Sequence, residues 1–484
     1  DAATTTDGAV AIGYHAAGGA ATANYDVAIG YEAHSAGTSA GVFIGLQAGA
    51  NFAGAGTFIG LEAGEAATES HAVLIGAEAG KNSATLHTVA IGHNAASSAD
   101  SEKSQYIGSY AGYSWTGNNN TVMGYQAGYS GTNTTHTSNI AIGYQSMLGG
   151  NYTVSNLSNV AIGVASLKFA SGSSYNVAIG YGVMAKADQI STQTVGIGYY
   201  ALSGATSTTA TTAIGHLAAK ELTTGIHNVA IGKSAMLGNT TTNYNVAIGS
   251  ESMQLVGADS STAVGYYSMN AHSGDTNVAL GAYSLRKGTG AYNVGLGVSA
   301  MTNVSGGTGG VAVGYQSGYH PTGNYNTWVG YNSGFGTAAG AAYQNVAIGR
   351  EAMMSINDGY ENVAVGYQAG KVITDGHKNV AMGAYALDAD TTGHSNVALG
   401  YHALGDATVG AENVAIGTYA GKSYVGTLSS VYGAFSVFIG HTAGYLLTGN
   451  GSYKGVTLVG HAAGYSATGA NNITGLGASA FYYA

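Results

Sequence analysis

Asn345-Val346-Ala347-Ile348-Gly349 is the first of five consecutive copies of one short motif. The last copy is Asn413-Val414-Ala415-Ile416-Gly417, and the three copies between them end at Gly366, Gly383 and Gly400. The step from one closing glycine to the next is the same each time, seventeen positions. A fixed period of this length is typical of solenoids and other repeat arrays. This stretch predicts that the chain is built by stacking one small unit on its copies.

The motif continues through nearly the whole chain of 484 residues. A glycine that closes a short apolar run occurs 28 times between Gly13 and Gly477, at a mean step close to seventeen positions. The residue before that glycine is always Ile, Val, Leu or Met, and two positions earlier it is Val, Ile or Thr in 27 of the 28 repeats. Because β-branched residues favour strands, we predict one all-β domain over residues 1–484, a parallel β-solenoid of about 28 coils, with repeats from about 8 to 480. Longer steps predict surface loops near 129–139, 148–158, 335–344, 418–435 and 445–455.

The two faces of each strand are predicted to have different partners. Alternate residues of a strand share a face, so the Val and Ile positions are expected to form the core ladder: Val346, Ile348, Val363, Val365, Val380, Met382, Val397, Leu399, Val414 and Ile416. The middle position is Ala in 17 repeats, Gly in three and a larger apolar or aromatic residue in eight. A strand that is apolar on both faces is buried on both. We therefore expect the small middle residues to contact sister protomers around a threefold axis: Ala347, Ala364, Ala381, Ala398 and Ala415.

Asparagine lies four residues before the glycine in fourteen repeats. Stacked asparagine side chains can hydrogen-bond along a solenoid as a ladder. Asparagine is also a common turn residue at the entrance to a strand. The sequence leaves both interpretations open.

The repeated pattern Asn-Val-Ala-Ile-Gly-Tyr-x-Ala-Gly, seen from Asn362 to Gly370 with Val365 in the Ile place, resembles the YadA-like head repeats of trimeric autotransporter adhesins. It is also similar to related repeats of phage tail fibres. The resemblance covers essentially the whole chain. It implies a trimeric parallel β-roll whose surface binds host or matrix components, and it leaves the bacterial and the viral setting equally open.

Composition excludes several classes of function. The 13 Lys and Arg residues are scattered and the net charge is −10, so the basic patch of a nucleic-acid-binding protein is missing. The absence of cysteine removes disulfides and thiolate metal sites. The sequence contains no apolar run of about 18 residues, the length that a membrane-spanning helix needs, so we expect no membrane insertion. The chain opens at Asp1 without a signal-like segment, which suggests a processed product or part of a longer chain.

Some polar residues are of the types that catalysis and metal binding use. His441 and His461 follow the glycine of adjacent repeats, but no cysteine or regular carboxylate accompanies them, so ladder or surface histidines are favoured over a metal site. Glu32, Glu62 and Glu78 could supply paired carboxylates, but they are better interpreted as solubilising charges. We therefore expect no enzyme, no metal and no cofactor.

Aromatic residues in the longest step are the candidates for recognition. Tyr419, Tyr424, Tyr432 and Phe435 could stack on sugar faces or present rigid contact area to a receptor; packing over neighbouring coils is the alternative. The resulting hypothesis is a non-catalytic extracellular fibre, on a bacterial surface or a virion tail, that attaches to a surface glycan or protein. The alternative is a purely structural spacer or a filament that assembles head to tail.

Overall fold

The computed structural model describes residues 8–18, 25–36, 40–52, 54–68, 71–131, 134–149, 156–186, 190–255, 257–320, 323–337, 340–408, 410–424, 435–447, 455–467 and 472–483. The chain divides into two compact units, Asp1–Tyr244 and Asn245–Ala484. The described residues of both units are β-strands, turns and bends, and none of them form a helix long and apolar enough to cross a membrane. That the whole chain forms one domain therefore stays a prediction from the sequence.

The first unit contains one ladder of short parallel strands, with one strand per coil. Its fourteen described strands are Val10–Ile12, Val27–Ile29, Gly41–Ile44, Gly56–Ile59, Ala72–Ile75, Val89–Ile91, Gln105–Ile107, Thr121–Met123, Ile140–Ile142, Val160–Ile162, Val177–Ile179, Val195–Ile197, Thr212–Ile214 and Val229–Ile231. A second, shorter sheet contains Ala84–Leu86, Asp100–Glu102, Trp115–Thr116 and Thr134–Thr135.

The second unit repeats this design. The fourteen described strands of its ladder are Val246–Ile248, Thr262–Val264, Val278–Leu280, Val294–Leu296, Val311–Val313, Thr327–Val329, Val346–Ile348, Val363–Val365, Val380–Met382, Val397–Leu399, Val414–Ile416, Val437–Ile439, Thr457–Val459 and Thr474–Leu476. Its second sheet contains Ala271–His272, Lys287–Gly288 and Asn303–Val304.

The register of the ladder pairs residues at equivalent positions of adjacent repeats. Val346 pairs with Val363, Ala347 with Ala364, and Ile348 with Val365. This pairing of equivalent positions, one repeat apart, confirms the predicted parallel β-solenoid.

The assignment of the two strand faces, however, was wrong. Ala347, Ala364, Ala381, Ala398 and Ala415 have no exposed surface within the chain, so they lie inside the coil and cannot contact a sister protomer. The predicted core ladder points outward instead: Val346, Val363, Val365, Val380, Val397, Leu399 and Val414 are half-buried, and Ile348, Met382 and Ile416 are exposed. The physical reason is width, because a narrow coil has room for small side chains at its centre.

Large residues at the middle position fit inside because a second interior position shrinks to match. The residue four places after the strand-ending glycine also points inward, and it is glycine in all eight coils whose middle residue is large. A Cβ added to Gly334, for example, would lie 2.2 Å from the Trp328 ring. The eight pairs are Phe43 with Gly49, Phe58 with Gly64, Leu74 with Gly80, Tyr106 with Gly112, Val122 with Gly128, Trp328 with Gly334, Phe438 with Gly444 and Leu458 with Gly464.

The glycine that ends each ladder strand is required by its backbone. Gly366 has a φ of +141°, and a Cβ there would lie 2.6 Å from the carbonyl oxygen of Gly383 in the next coil. Such a conformation is accessible to glycine and strained for other residues. The chain therefore turns at this point in every coil without a side chain between the layers.

The buried asparagines form a ladder. Asn379 Nδ2 donates to Asn362 Oδ1 over 3.1 Å and to the Gly393 carbonyl over 2.8 Å. Asn362 Oδ1 also accepts the backbone N–H of Asn379 over 3.0 Å. The same pattern links Asn345 to Asn326 and Asn413 to Asn396. Both interpretations of the sequence hold together, because each side chain satisfies the backbone at the strand entrance and also joins its neighbour.

Candidate functional site

The outward side of each ladder, formed by the first and third residues of its three-residue strands, is largely apolar, although the first position is Thr in several strands and Gln105 in one. We call it the apolar face. In the second unit it includes Leu280 and Ile348, each 41% exposed, and Met382 at 46%. In the first unit it includes Ile91, Met123 and Ile140. Since monomeric proteins rarely leave large contiguous apolar patches exposed, this face is a candidate contact surface in each unit.

A row of aromatic side chains borders the apolar face. These residues follow the strand-ending glycine, and their rings stack from coil to coil. Tyr315 and Tyr331 lie 5.3 Å apart at an interplanar angle of 16°. The Arg350 guanidinium then lies between Tyr331 and Tyr367, 5.6 Å from each ring centroid. Equivalent exposed tyrosines in the first unit are Tyr14, Tyr31, Tyr125, Tyr144, Tyr181 and Tyr199.

A second aromatic stack in the second unit is formed by residues that each lie two positions before an asparagine of the ladder. Its four rings, Tyr343, Tyr360, His377 and His394, follow one another at 4.9, 4.6 and 4.9 Å, within 8° of parallel. Burial, with help from the nearby His394 and Lys378 charges, lowers the pKa of His377. Rings stacked in this way cover each other's faces and present a row of ring edges, the amphipathic kind of side chain that is enriched at interfaces.

The four aromatic residues predicted for recognition are not brought together as a surface. Tyr424 is fully buried, with its ring 5.2 Å from that of Phe438 and its hydroxyl 3.2 Å from Ser436 Oγ. Its predicted exposure is therefore wrong, because it lies seven residues after Gly417, in an interior row that also contains Ile373 and Leu447. Tyr419 is half-buried between neighbouring rings and Phe435 is 53% exposed. Tyr432 lies outside the described residues.

The predicted loops are described only in part. Residues 132–133, 150–155, 338–339, 425–434 and 448–454 lie outside the described chain. Within the first predicted loop, Thr134–Thr135 joins the second sheet of the first unit. The other strands of this sheet lie in coils of ordinary length, so the strand does not depend on the longer step.

The polar residues considered for catalysis or metal binding have structural partners. Glu32 accepts a hydrogen bond from Gln47 over 2.9 Å, and Lys81 donates to Glu62. The rings of His441 and His461 stack at 5.3 Å. No group of three or more metal-ligating side chains is assembled among the described residues.

Several ionisable side chains are buried, and among them Asp390 has a strongly raised pKa. Asp390 is 1% exposed and occupies the inner row between Ile373 and Ala407. Burial raises its pKa to about 7, although the N–H of Gly393 donates to Oδ1 over 2.7 Å. Sequence reasoning missed this residue, although its spacing of one repeat from Ile373 marks the position as internal.

Sequence reasoning also missed that the apolar face is exposed. One signal could have revealed it: the middle residue exchanges size with the residue six places later, which shows that these two positions share the interior. Comparison with known protein families and with curated proteins found no match to this chain.

Proposed function

We propose that the chain is a non-catalytic extracellular fibre that attaches to a cell-surface glycan or protein, of the type found in trimeric adhesin heads or phage tail fibres. The observation that supports this most is the exposed apolar face with its aromatic border. The fold offers repetition of surface features, and the described polar residues form hydrogen bonds and stacks along the coils. These are properties of a scaffold for contacts.

The apolar face favours self-association into a homotrimer. Fourteen strands about 4.8 Å apart, each about 10 Å long, cover roughly 670 Å² in either unit. A standard interface buries about 800 Å² on each partner, so each unit alone approaches that size. We propose that the Val and Ile side chains, and not the alanines, lie between protomers around the threefold axis.

The repeated aromatic rings then serve attachment. Each ring offers a modest contact, but a linear array offers the same contact many times. Multivalent binding of this kind gains overall affinity without any strong single site. A surface that carries a repetitive glycan is the partner that fits a repetitive array.

A glycan array probed with the full chain tests this function. We expect binding to a subset of glycans, weakened severalfold by Tyr343→Ala with Tyr360→Ala, which removes two rings of one stack. Tyr343→Phe with Tyr360→Phe is the matched control and should retain most binding, because the rings remain. If the full chain binds no glycan and no cell surface, the purely structural spacer replaces the adhesive fibre.

A further inference from the structure

The second sheet of the second unit carries an open groove whose lining includes none of the aromatic rings described above. The groove has a volume of about 380 Å³ and is lined by Ala271, Ser273, Lys287, Gly288, Thr289, Asn303 and Ser305. This volume lies within the range of about 300–1,000 Å³ that is usual for small-molecule sites.

The solenoid register builds the groove from equivalent positions of three coils. Ala271 pairs with Lys287, and Lys287 pairs with Asn303. Alternate side chains of each strand point outward: Lys287 and Thr289 are exposed on either side of Gly288. Gly288 forms a floor that a larger residue could not, since a Cβ there would lie 1.9 Å from the Val304 carbonyl oxygen.

The groove has one unpaired positive charge. Lys287 forms no ion pair with any carboxylate of the described residues, whereas Lys81, Lys371 and Lys422 each lie close enough to one to form an ion pair. Around it stand the hydroxyls of Ser273, Thr289 and Ser305 and the carboxamide of Asn303. Hydroxyl and amide groups both donate and accept hydrogen bonds. The groove therefore presents one cation surrounded by uncharged polar groups.

This combination selects a class of ligand. A group that concentrates several negative charges, such as a polyphosphate, would meet a single ammonium on a chain whose net charge is −10. An apolar ligand would leave the Lys287 ammonium without a counter-charge and would desolvate the surrounding hydroxyl and amide groups without replacing their hydrogen bonds. A ring that carries one carboxylate and several hydroxyls matches both features, with a charge-assisted bond at Lys287. We propose that the groove binds a carboxylated sugar residue of an acidic polysaccharide, an inference that rests on the proposed attachment function and names its glycan class.

The surface of the second sheet in the first unit provides an internal contrast. Its strand Asp100–Glu102 exposes both carboxylates. Like charges would repel an acidic sugar there. Binding is therefore expected at the groove and not at the equivalent sheet of the first unit.

Saturation-transfer NMR on the full chain, with trigalacturonic acid as the probe, tests the site. We expect transfer to the acid and at least about tenfold weaker binding of its methyl ester, which keeps the hydroxyls but loses the charge. Lys287→Gln should weaken binding of the acid by about tenfold or more, and Lys287→Arg should restore most of it. Lys378→Gln removes the same charge from an exposed site in the same unit and should leave binding unchanged.

The outcomes separate the groove from the general function. Equal loss in Lys287→Gln and Lys378→Gln, or equal binding of acid and ester, would overturn the proposed site. Inorganic sulfate that displaces the acid at the same concentration would overturn the sugar assignment and leave a simple anion site. If the chain binds neutral glycans on an array but not trigalacturonic acid, the groove proposal fails while the attachment function stands.

Discussion

At the scale of single residues, the fold depends on the glycine that ends each ladder strand, because no side chain fits at that position. The glycine that ends each ladder strand stacks directly on its copy in the next coil, with φ near +130° to +140° in most coils. Neither the backbone angle nor the space between coils accepts a Cβ. Its recurrence in all 28 repeats was visible in the sequence, and its physical cause is this contact between layers.

Gly366→Ala should therefore destabilise the chain by at least about 2 kcal/mol, because strained backbone alone costs about 1–3 kcal/mol and the new Cβ meets the Gly383 carbonyl. Urea denaturation followed by circular dichroism measures the loss. Gly257→Ala is the control, since no atom lies within 4 Å of a Cβ at that position, and it should change stability by less than about 0.5 kcal/mol. Equal behaviour of the two variants would contradict this explanation.

Asp390 predicts an unusual pH dependence. Its pKa in the folded chain is about 7, above the ordinary value of 3.8, because burial disfavours the carboxylate. The folded state then binds more protons than the unfolded state between these values, so this residue makes stability fall as pH rises from about 4 to about 7.

Asp390→Asn should raise the urea midpoint at pH 8 and remove most of this pH dependence. The gain in unfolding free energy at pH 8 is at most about 4 kcal/mol, from about three pKa units at about 1.36 kcal/mol each. Asp375→Asn removes a carboxylate from an exposed position and should leave the pH profile unchanged. A variant at position 390 that is less stable than the parent at pH 8 would contradict the assignment.

At the scale of the strand, the sequence predicted the element but not its orientation. The alternation in Val346-Ala347-Ile348 shows that the two faces differ, and the regular step predicts parallel stacking. Since both faces are apolar, periodicity alone does not say which one is internal. Volume decides it, because Ala347 shares the interior with the buried Met353, six places later, which leaves no room for a second large side chain. Tyr424 was misplaced for the same reason, as an aromatic residue in a long step can fill the interior as well as a surface.

The asparagine ladder makes neighbouring coils dependent on one another. Asn379→Ala removes the acceptor for the buried backbone N–H of Asn396, at 3.0 Å, and the donor to the Gly393 carbonyl, at 2.8 Å. Asn396 Nδ2 keeps its bond to the Gly410 carbonyl. Each unsatisfied buried group costs about 1–3 kcal/mol, so we expect a loss of about 2–5 kcal/mol in urea denaturation.

Asn379→Ser is the conservative comparison for this ladder. Ser261 occupies the same row naturally, and its Oγ accepts the N–H of Asn277 over 3.1 Å. Asn379→Ser should therefore lose clearly less stability than Asn379→Ala. A serine variant as unstable as the alanine variant would show that amide stacking, and not backbone satisfaction, is the main contribution.

At the scale of the whole molecule, the exposed apolar face predicts assembly. Ile348→Glu with Met382→Glu places two charges on this face, where a trimer would bury them without partners. An unpaired buried charge is strongly unfavourable. In analytical ultracentrifugation we therefore expect the parent to have three times the mass of one chain, which is 48.1 kDa, and this double variant to have the mass of a single chain.

The control for assembly is Gln344→Glu with Ser395→Glu, which adds the same charge in the row where Glu361 and Glu412 already occur. This variant should sediment as the parent does. A parent that sediments as a single chain in mild buffer would remove the trimer, and the apolar face would then require another partner.

The exchange of size between the middle strand residue and the glycine six places later links two positions of each coil. A repeat can therefore be duplicated or transplanted only if both of these residues move with it and the adjoining coil also offers space. Moving residues 315–330 into a coil that has Met or Leu in the place of Gly334 would put Trp328 against a large side chain. Moving residues 319–334 would keep Trp328 with Gly334, although Trp328 also needs a small residue in the place of Gly318. A duplication or deletion of a coil is therefore expected to preserve the packing of the interior only when its boundaries do not separate the two linked positions.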